Sequence, residues 1–379
     1  NIKVRVDMLK KTIQVLIIIT FITYTLLSNI ELKVIYANDF INDTVQLEDE
    51  YIFKLFNKKI DITNKYNNEN YSVYKHEAND LNKNNEFFES DELDKHLSEG
   101  LWGLETIKYT SVAEETYNIK ELSSVKVAVL DTGVSSEHPD LKECLVSGFN
   151  FLENNTNTND DNGHGTQMAG LIAGKKTGVA HGVKIMPIKI LDKNGNGNTE
   201  NFVKGIIWAV DNGADIINLS LGRRKFIYGS YGKIIRDTYS ELERLAIEYA
   251  LINGVTVVTV VGNFSENDTC YPAAYTYRKT LTKPIIVSAI DENKDKLNLS
   301  NYGDRVDVSA PGQRVLSTYP FELDIGFDLY MNKDHDGYIL SSGTSHASAF
   351  VAGFCSIIKA YSKDLTNDEI REIVLSSVT

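Results

Sequence analysis

From residue 101 onward, short apolar runs alternate with helix-like patterns along the chain. Runs of four to eight mostly apolar residues predict strands over 125–130, 184–191, 216–220, 255–261, 284–290 and 305–309. Apolar positions three and four residues apart predict helices over 164–173, 200–212, 240–253, 345–360 and 367–376. Strands that are apolar on both faces and separated by helices are typical of a mostly parallel sheet covered on both sides. The pattern therefore predicts an α/β domain over residues 100–379.

The first residues of the chain have a different pattern. Basic residues between positions 3 and 11 precede an apolar run over 13–27, and the small residue Ala37 follows in a polar stretch. Basic, apolar and small-residue regions in this order are typical of a secretory signal, and a retained membrane anchor is the alternative. We predict a signal peptide over 1–37 and an extracellular protein, with retention at the cell surface left open.

Residues 38–99 are rich in Asn, Asp, Glu, Lys and Tyr. Residues 51–56 alternate enough to predict a strand, and residues 71–74 are a candidate for a second one. The end of the segment, over 86–99, is charged and acidic. We predict a small α+β unit over 38–99 that ends in a cleavable acidic linker.

Composition and charge narrow the function further. The 379 residues are 42% hydrophobic and 24% charged, which is typical of a globular protein, and the net charge is −13. An acidic chain lacks the basic face that phosphate binding needs, so nucleic acid is excluded as a partner. The cysteines, Cys144, Cys270 and Cys355, are odd in number and widely spaced, and we predict three small buried apolar side chains.

Three polar residues occupy positions where a fold of this class presents catalytic groups. Asp131 follows the predicted strand 125–130, and the carboxyl ends of parallel strands are where such sheets bind ligands. His164 stands between two glycines at a predicted helix start, and Ser345 begins the last long apolar helix. A serine becomes a nucleophile when a histidine takes its proton and a carboxylate holds that histidine. Taken singly, Asp131 could start a turn and Ser345 could cap a helix.

The three segments together resemble the subtilase family. LDTGV, NGHGT and GTS contain Asp131, His164 and Ser345 in the order Asp, His, Ser. The stretch 180–222 and the LWGLETI segment at 101–107 are also similar to that family, so the resemblance covers nearly all of residues 101–379. It implies a three-layer αβα sandwich, serine endopeptidase activity, and these three residues as the catalytic triad. It also implies a propeptide over 38–99 that assists folding, blocks the cleft and is removed by self-cleavage.

The resemblance implies further site residues. Asn263, in VVGNFSEN, matches the side-chain donor of an oxyanion hole. Two segments match the strands that pair with an extended substrate backbone, and their residues are Ser220, Leu221, Gly222, Gly195 and Gly197. No cofactor is implied for catalysis.

The loop DKNGNGNTE raises the question of calcium. Asp192, Asn194 and Asn196 have the spacing of ligands in an EF-hand loop, but the twelfth position, where that loop needs an acid, is Val203. We therefore predict no calcium here and assign no metal site. Structural calcium elsewhere remains open, because many subtilases bind it.

The chain departs from the family next to the nucleophile and beside the substrate edge. His346 follows Ser345 where relatives usually have Met, and it either alters the pH dependence or is a replacement of compatible size. Arg223 and Arg224 follow Gly222 where relatives usually have small residues. They form either a solvated loop or a basic rim that favours acidic peptides. The second reading predicts self-cleavage after a glutamate of the linker, with Glu92 and Glu99 as candidates.

The GTSHASA segment and the Asn/Lys/Tyr-rich propeptide are similar to those of lanthipeptide leader peptidases. This resemblance implies that the substrate is the leader of a secreted lanthipeptide toxin or bacteriocin. A general extracellular protease of broad specificity is one alternative. A catalytically inactive subtilase fold that acts as a binding module is another, and the intact Asp, His, Ser and Asn set argues against it.

Overall fold

The fold is described from a computed structural model, over residues 74–75, 100–107, 119–228, 234–278, 282–323 and 337–377. Several predictions lie outside these residues: the signal peptide over 1–37, the strand at 51–56, and the cleavage candidates Glu92 and Glu99. No helix among the described residues is both long enough and apolar enough to cross a bilayer.

In chain order the strands are β1 (Tyr74–Lys75), β2 (Lys126–Asp131), β3 (Phe149–Asn150), β4 (Lys184–Lys189), β5 (Asn196–Gly197), β6 (Ile216–Leu219), β7 (Phe226–Tyr228), β8 (Ile234–Asp237), β9 (Thr256–Val260), β10 (Ile285–Ile290), β11 (Val308–Pro311), β12 (Val315–Thr318) and β13 (Tyr338–Ser341). The helices are α1 (Trp102–Thr106), α2 (His164–Ala173), α3 (Thr199–Asp211), α4 (Glu241–Ile252), α5 (Thr344–Tyr361) and α6 (Asn367–Ser376). The six strands and five helices that the pattern predicted after residue 101 are all present.

A seven-stranded sheet forms the centre of the described chain. Its strand order is β11-β10-β9-β6-β2-β4-β3, and every neighbouring pair is parallel. Residues of the central strands are buried along nearly their whole length, because helices cover both faces of the sheet. The carboxyl ends of β2 and β6 therefore lie side by side at one edge of the sheet.

Alternate residues of β2 contact different helical layers. Val127 and Val129 belong to a core that also contains residues of α2 and α5. On the opposite face, Leu130 approaches α3, since a Cβ added to Gly205 would lie 3.3 Å from Leu130 Cδ2. Helices thus pack on both faces of the sheet, and the predicted three-layer αβα sandwich is confirmed.

The helices differ in how their first turns are capped. In α3, α4 and α6 the side chains of Asn198, Ser240 and Thr366 accept a hydrogen bond from the first turn. Helices α2 and α5 instead begin after Gly163 and Gly343, which have no side chain to cap them. Side chains from elsewhere in the chain accept from these helix starts instead: the Thr166 amide of α2 donates to Asp160 Oδ2, and the Thr344 amide of α5 donates to Asn263 Oδ1.

Two hairpins add to the predicted elements. Strands β12 and β13 pair antiparallel, and the hydroxyls of Ser317 and Thr318 donate to backbone oxygens of α2. Because β13 leads directly into α5, this hairpin fixes the start of that helix against α2. Strands β7 and β8 form a second hairpin just after the segment 220–222.

The three cysteines are buried and free, as the sequence predicted. Burial raises the pKa of the Cys144 and Cys355 thiols to about 12. Such thiols stay protonated at neutral pH and act as small apolar side chains.

Candidate active site

Asp131 is the last residue of β2, so its side chain lies at the carboxyl edge of the central sheet. The residue is fully buried. Its Oδ1 accepts a hydrogen bond from the Thr132 amide at 2.7 Å, and both carboxylate oxygens contact His164 Nδ1, at 2.8 and 2.9 Å. The carboxylate is therefore held by the backbone on one side and by the imidazole on the other.

His164 is the first residue of α2, directly after Gly163. Gly163 has a φ of 105°, and a Cβ at this position would lie 2.2 Å from the ring of Tyr319. Glycine is thus required both by the backbone and by the packing. Because Asp131 accepts the proton of Nδ1, the lone pair of Nε2 is the one that can take a proton from a nucleophile.

Asp160 links the two loops that carry Asp131 and His164. Its buried carboxylate accepts hydrogen bonds from Thr132 Oγ1 at 2.8 Å, from the Gly163 amide at 2.9 Å, and from the amide and hydroxyl of Thr166. Sequence reasoning missed this residue. The acidic DD pair just before the glycine-flanked histidine was the available signal.

Lys189 supports the same region from β4. Its buried ammonium donates to the carbonyls of Thr132 and Leu191 and to Asp161 Oδ1. The charge is neutralised by Asp161 at 2.6 Å, which is how a buried cation is tolerated. Together Asp160 and Lys189 fix the backbone just after Asp131.

Ser345 is the second residue of α5 and follows Gly343 and Thr344. It is 7% exposed, and its Oγ donates to the carbonyl of Ser220 at 3.1 Å. In return the hydroxyl of Ser220 donates to the Ser345 carbonyl at 3.0 Å. The hydroxyl thus lies at the junction between the start of α5 and the segment that follows β6.

Asn263 follows β9 and is oriented by Thr344. Its Oδ1 accepts from the amide of Thr344 at 2.8 Å and from the Thr344 hydroxyl at 2.7 Å. Both acceptor bonds lie on the oxygen, so they leave the Nδ2 group available to donate. A Cβ on Gly343 would lie 3.4 Å from that Nδ2, which places the donor beside the turn that carries Ser345.

This orientation gives a first prediction. Replacement of Asn263 by Ala should lower kcat about 10²–10³-fold and leave KM nearly unchanged, because the donor acts on charge that develops in the transition state. The magnitude is the one known for the matching donor of a subtilisin and does not come from this structure. Steady-state kinetics on a chromogenic peptide would measure it. A drop below threefold, or an effect confined to KM, would contradict the role.

The two segments predicted to bind an extended substrate follow β6 and lead into β5, and Ser220, Leu221, Gly195 and Gly197 are buried in them. Ser220, Leu221 and Gly222 continue β6 beyond its end, next to the Ser345 hydroxyl. On the other segment, Gly195 has a φ of 71° in the turn before β5. Strand β5 has an antiparallel partner in β1, with Gly197 opposite Tyr74 and Asn196 opposite Lys75.

The two arginines after Gly222 have different environments. The guanidinium of Arg223 is 6% exposed and donates to Glu243 Oε2 at 2.7 Å and to the Thr238 carbonyl. It is therefore engaged inside the protein, away from the position on a basic rim that the sequence predicted. Arg224 is 48% exposed. Only Arg224 thus has the exposure that contact with a substrate requires.

A small depression adjoins both the Asn263 turn and the segment after β6. Its charged and apolar lining includes Arg224, Lys225, Phe264, Glu266, Asp268 and Cys270. The Arg224 guanidinium lies 4.2 Å from the centre of the Phe264 ring and 3.2 Å from Glu266 Oε1. Lys225 forms a second ion pair with Asp268. Each cation of this depression therefore has an acidic partner from the protein itself.

His346 is buried behind His164, with their ring centres 6.5 Å apart. Its Nε2 is 3.1 Å from Gln167 Oε1, so Nε2 carries the proton and donates to the amide oxygen. Burial, and to a smaller extent the proximity of His164, lower the pKa of His346 to about 3. The imidazole stays neutral at neutral pH, which favours the reading of a size-compatible replacement.

In the loop after β4, the side chain of Asp192 binds backbone amides of the same loop. Asp192 Oδ1 accepts from the amides of Asn194 and Asn196, at 2.9 and 2.8 Å. In the described part of the chain, no group of three or more His, Cys, Asp or Glu side chains is placed to hold a metal ion. Structural calcium at a site outside this loop stays a prediction.

Comparisons with known proteins identify the family to which the chain is similar. The sequence model of the subtilase family matches residues 123–379, which include Asp131, His164, Asn263 and Ser345. Thermitase from Thermoactinomyces vulgaris is 34% identical over 280 residues, 72% of this chain and 87% of thermitase. Subtilisin DY from Bacillus licheniformis is 33% identical over 287 residues, 73% of this chain and 91% of subtilisin DY. The crystal structure of a cold-adapted subtilisin-like serine proteinase matches with a TM-score of 0.56 at 28% identity, over 69% of this chain and 84% of that one.

Proposed function

Because this chain belongs to the subtilase family and is a serine endopeptidase, we propose that Ser345 is its nucleophile, His164 its general base and Asp131 the carboxylate that orients the base. The observation that carries this assignment is the buried pair of contacts between Asp131 and His164 Nδ1, at 2.8 and 2.9 Å. That pair fixes the tautomer in which Nε2 can accept the serine proton.

The chemistry follows from these positions. Ser345 Oγ attacks the carbonyl carbon of the scissile bond while His164 Nε2 takes its proton. The oxyanion that forms accepts hydrogen bonds from Asn263 Nδ2 and from the Ser345 amide at the start of α5. His164 then gives the proton to the departing amine, and water hydrolyses the acyl-enzyme. Asp131 remains ionised throughout and stabilises the imidazolium.

The proposed substrate is a peptide bound in an extended conformation. Its backbone would pair with the segment 220–222 on one side and with Gly195 and Gly197 on the other. The pairing of β5 with a strand of this chain, β1, supports this edge as a binding surface. Main-chain pairing supplies affinity, and the adjoining depression would select the side chain before the scissile bond.

We propose that this depression prefers glutamate before the scissile bond. Arg224 supports the preference because it is half exposed, lies over the ring of Phe264 and already binds a carboxylate, that of Glu266. A planar guanidinium suits a carboxylate through paired charge-assisted hydrogen bonds. A substrate glutamate would compete with Glu266 for this group.

Opposite effects are expected for the two members of this pair. Arg224→Gln should reduce kcat/KM for a peptide with Glu before the scissile bond on the order of tenfold, because a charge-assisted contact is lost. Glu266→Gln should raise kcat/KM for the same peptide, by about fivefold at most, since the pair it breaks is exposed and weak. Kinetics on matched Glu and Gln peptides measure both ratios.

Asp268→Asn is the matched control for this pair. It removes an acid from the same depression but leaves the contact between Arg224 and Glu266 in place. An unchanged Glu/Gln ratio in Arg224→Gln would rule out Arg224 as the selecting group.

At the level of biology, we propose a secreted protease that first removes its own propeptide and then the leader of a lanthipeptide toxin or bacteriocin. Its role would be similar to that of the proteases that activate cytolysin. The signal-like segment over 1–37 supports secretion, and the GTSHASA sequence around Ser345 supports the leader peptidase. Mass spectrometry of a lanthipeptide precursor incubated with the enzyme tests the role, and we expect one cut after a Glu at the leader boundary.

A general extracellular protease is the second candidate. Relatives named as alkaline proteases favour it. Digestion of denatured casein separates the two, since a general protease produces cuts after many residue types. Cuts after apolar residues at rates equal to those after Glu would favour the second candidate.

A further inference from the structure

A single buried carboxylate connects the two segments between which the proposed function places the substrate. Glu243 lies in the first turn of α4 and is fully buried. Its Oε1 accepts a hydrogen bond from the hydroxyl of Thr199 at 2.6 Å, and its Oε2 lies 2.7 Å from the guanidinium of Arg223. The two oxygens of one side chain thus join residues from two different parts of the chain.

Each of these partners adjoins a segment proposed to pair with the substrate backbone. Thr199 is the first residue of α3 and follows the end of β5 by two positions, so it is continuous with the segment 195–197. Arg223 comes directly after the segment 220–222. The position of Glu243 therefore influences the spacing between the two segments.

The carboxylate is itself held from several directions. The hydroxyl of Tyr275 donates to Glu243 Oε2 at 2.7 Å and accepts from the Arg223 guanidinium at 3.2 Å. Burial raises the pKa of Tyr275, so this hydroxyl keeps its proton and remains a donor. Arg223 also donates twice to the carbonyl of Thr238, at 2.6 and 3.1 Å. Glu243 and Arg223 thus belong to one closed network of buried hydrogen bonds.

The catalytic end of the segment 220–222 has a separate support. The hydroxyl of Ser220 donates to the carbonyl of Ser345 at 3.0 Å and lies 2.8 Å from the hydroxyl of Ser348, both in α5. The nucleophile and the start of the segment are therefore fixed by α5, whereas its far end is fixed through Arg223. A change at Glu243 should alter substrate pairing more than the chemistry at Ser345.

A buried ion pair adds little net stability, because the loss of water around both charges offsets most of their attraction. The fork of a guanidinium instead supplies a fixed direction. We propose that Glu243 is a positioning residue that sets the distance between the segments 195–197 and 220–222 for an extended substrate. The inference rests on the proposed function, because it needs a substrate that pairs with both segments.

The test compares an extended substrate with a minimal one on the purified enzyme. For Glu243→Gln, KM for a six-residue peptide p-nitroanilide should rise on the order of tenfold, which corresponds to one or two lost backbone hydrogen bonds. The value of kcat/KM for p-nitrophenyl acetate should stay within about twofold of wild type, because this ester has no chain to pair with either segment. Circular dichroism and urea unfolding establish how much of each variant is folded.

Glu248→Gln is the matched control. Glu248 lies in the same helix, is equally buried and pairs with Arg244 and Arg278, neither of which adjoins the segments 195–197 and 220–222. Its folded fraction should bind the peptide with the KM of wild type. The same rise in KM as in Glu243→Gln would overturn the inference, because the effect would then come from loss of any buried charge in α4.

Thr199→Val and Thr199→Ser decide the matter if Glu243→Gln does not fold, since both leave the ion pair with Arg223 in place. Thr199→Val should raise KM for the peptide on the order of threefold, because one neutral hydrogen bond is lost, and Thr199→Ser should restore the wild-type KM.

Equal losses on peptide and ester, or an unchanged peptide KM in folded Thr199→Val, would overturn the inference. A wild-type enzyme that cleaves neither substrate would overturn the proposed function instead.

Discussion

Ser345→Ala should abolish peptidase activity, with a fall in kcat of about 10⁶-fold, a magnitude known from the corresponding serine of a subtilisin. The physical reason is that the proposed mechanism forms the acyl-enzyme on the Ser345 hydroxyl. Thr344 directly precedes it, but its hydroxyl is bonded to Asn263 Oδ1 at 2.7 Å. Hydrolysis of a chromogenic peptide measures the effect.

Two controls belong with that variant. Thr344→Ala removes a neighbouring hydroxyl without touching the nucleophile, and it should cost far less than Ser345→Ala because it only loosens the orientation of Asn263. Circular dichroism establishes that both variants fold. Activity of a folded Ser345→Ala enzyme within tenfold of wild type would mean that another residue is the nucleophile.

Asp131→Asn should reduce kcat by about 10⁴-fold, the effect found for this exchange in another serine protease. The carboxylate accepts the Nδ1 proton of His164 through both oxygens, whereas an amide can turn its NH₂ group toward Nδ1. The histidine would then carry its proton on Nε2, where it cannot act as a base. KM should change little, because Asp131 lies behind the histidine, away from the substrate edge.

A matched exchange distinguishes this effect from general loss of structure. Asp304→Asn makes the same exchange at an exposed loop aspartate. It should leave kcat within a few-fold of wild type, because a surface substitution away from the site changes stability little. An equal loss in both variants would assign the effect of Asp131→Asn to folding.

The central sheet and its helices could be predicted because their signals are local. Strand β9, with the sequence TVVTV, is β-branched throughout and buried at every position. Such a run is typical of a strand in a sheet that is covered on both faces. The helix starts near His164 and Ser345 could likewise be predicted, since glycine precedes each one closely and apolar helical residues follow.

The hairpin of β7 and β8 could not be predicted in the same way. Its strands have three and four residues, with mixed polar and apolar side chains and a shift in register between them. Short strands of this kind depend on their partner more than on their own composition. The two-residue strands β1 and β5 pair across more than 100 positions of sequence, and no local pattern encodes that pairing.

The environment of Arg223 also could not be predicted from the local sequence. A cluster of three basic residues indicates a solvated or substrate-facing surface when it is read locally. Its actual partners are Glu243 and Tyr275, which lie 20 and 52 positions further along the chain. Whether a charged side chain is buried depends on such distant partners, because a buried charge is tolerated only when an opposite charge pairs with it.

The most direct test of the account is the reaction of the folded protein with a fluorophosphonate probe, followed by peptide mapping. Fluorophosphonates label a serine only when a base activates it, so the experiment examines Ser345, His164 and Asp131 as one unit. We predict a single labelled residue, Ser345, with no label in Ser345→Ala and strongly slowed labelling in Asp131→Asn. A folded wild-type protein, freed of its leader, that remains unlabelled at Ser345 would contradict the account and favour a subtilase fold that only binds peptides.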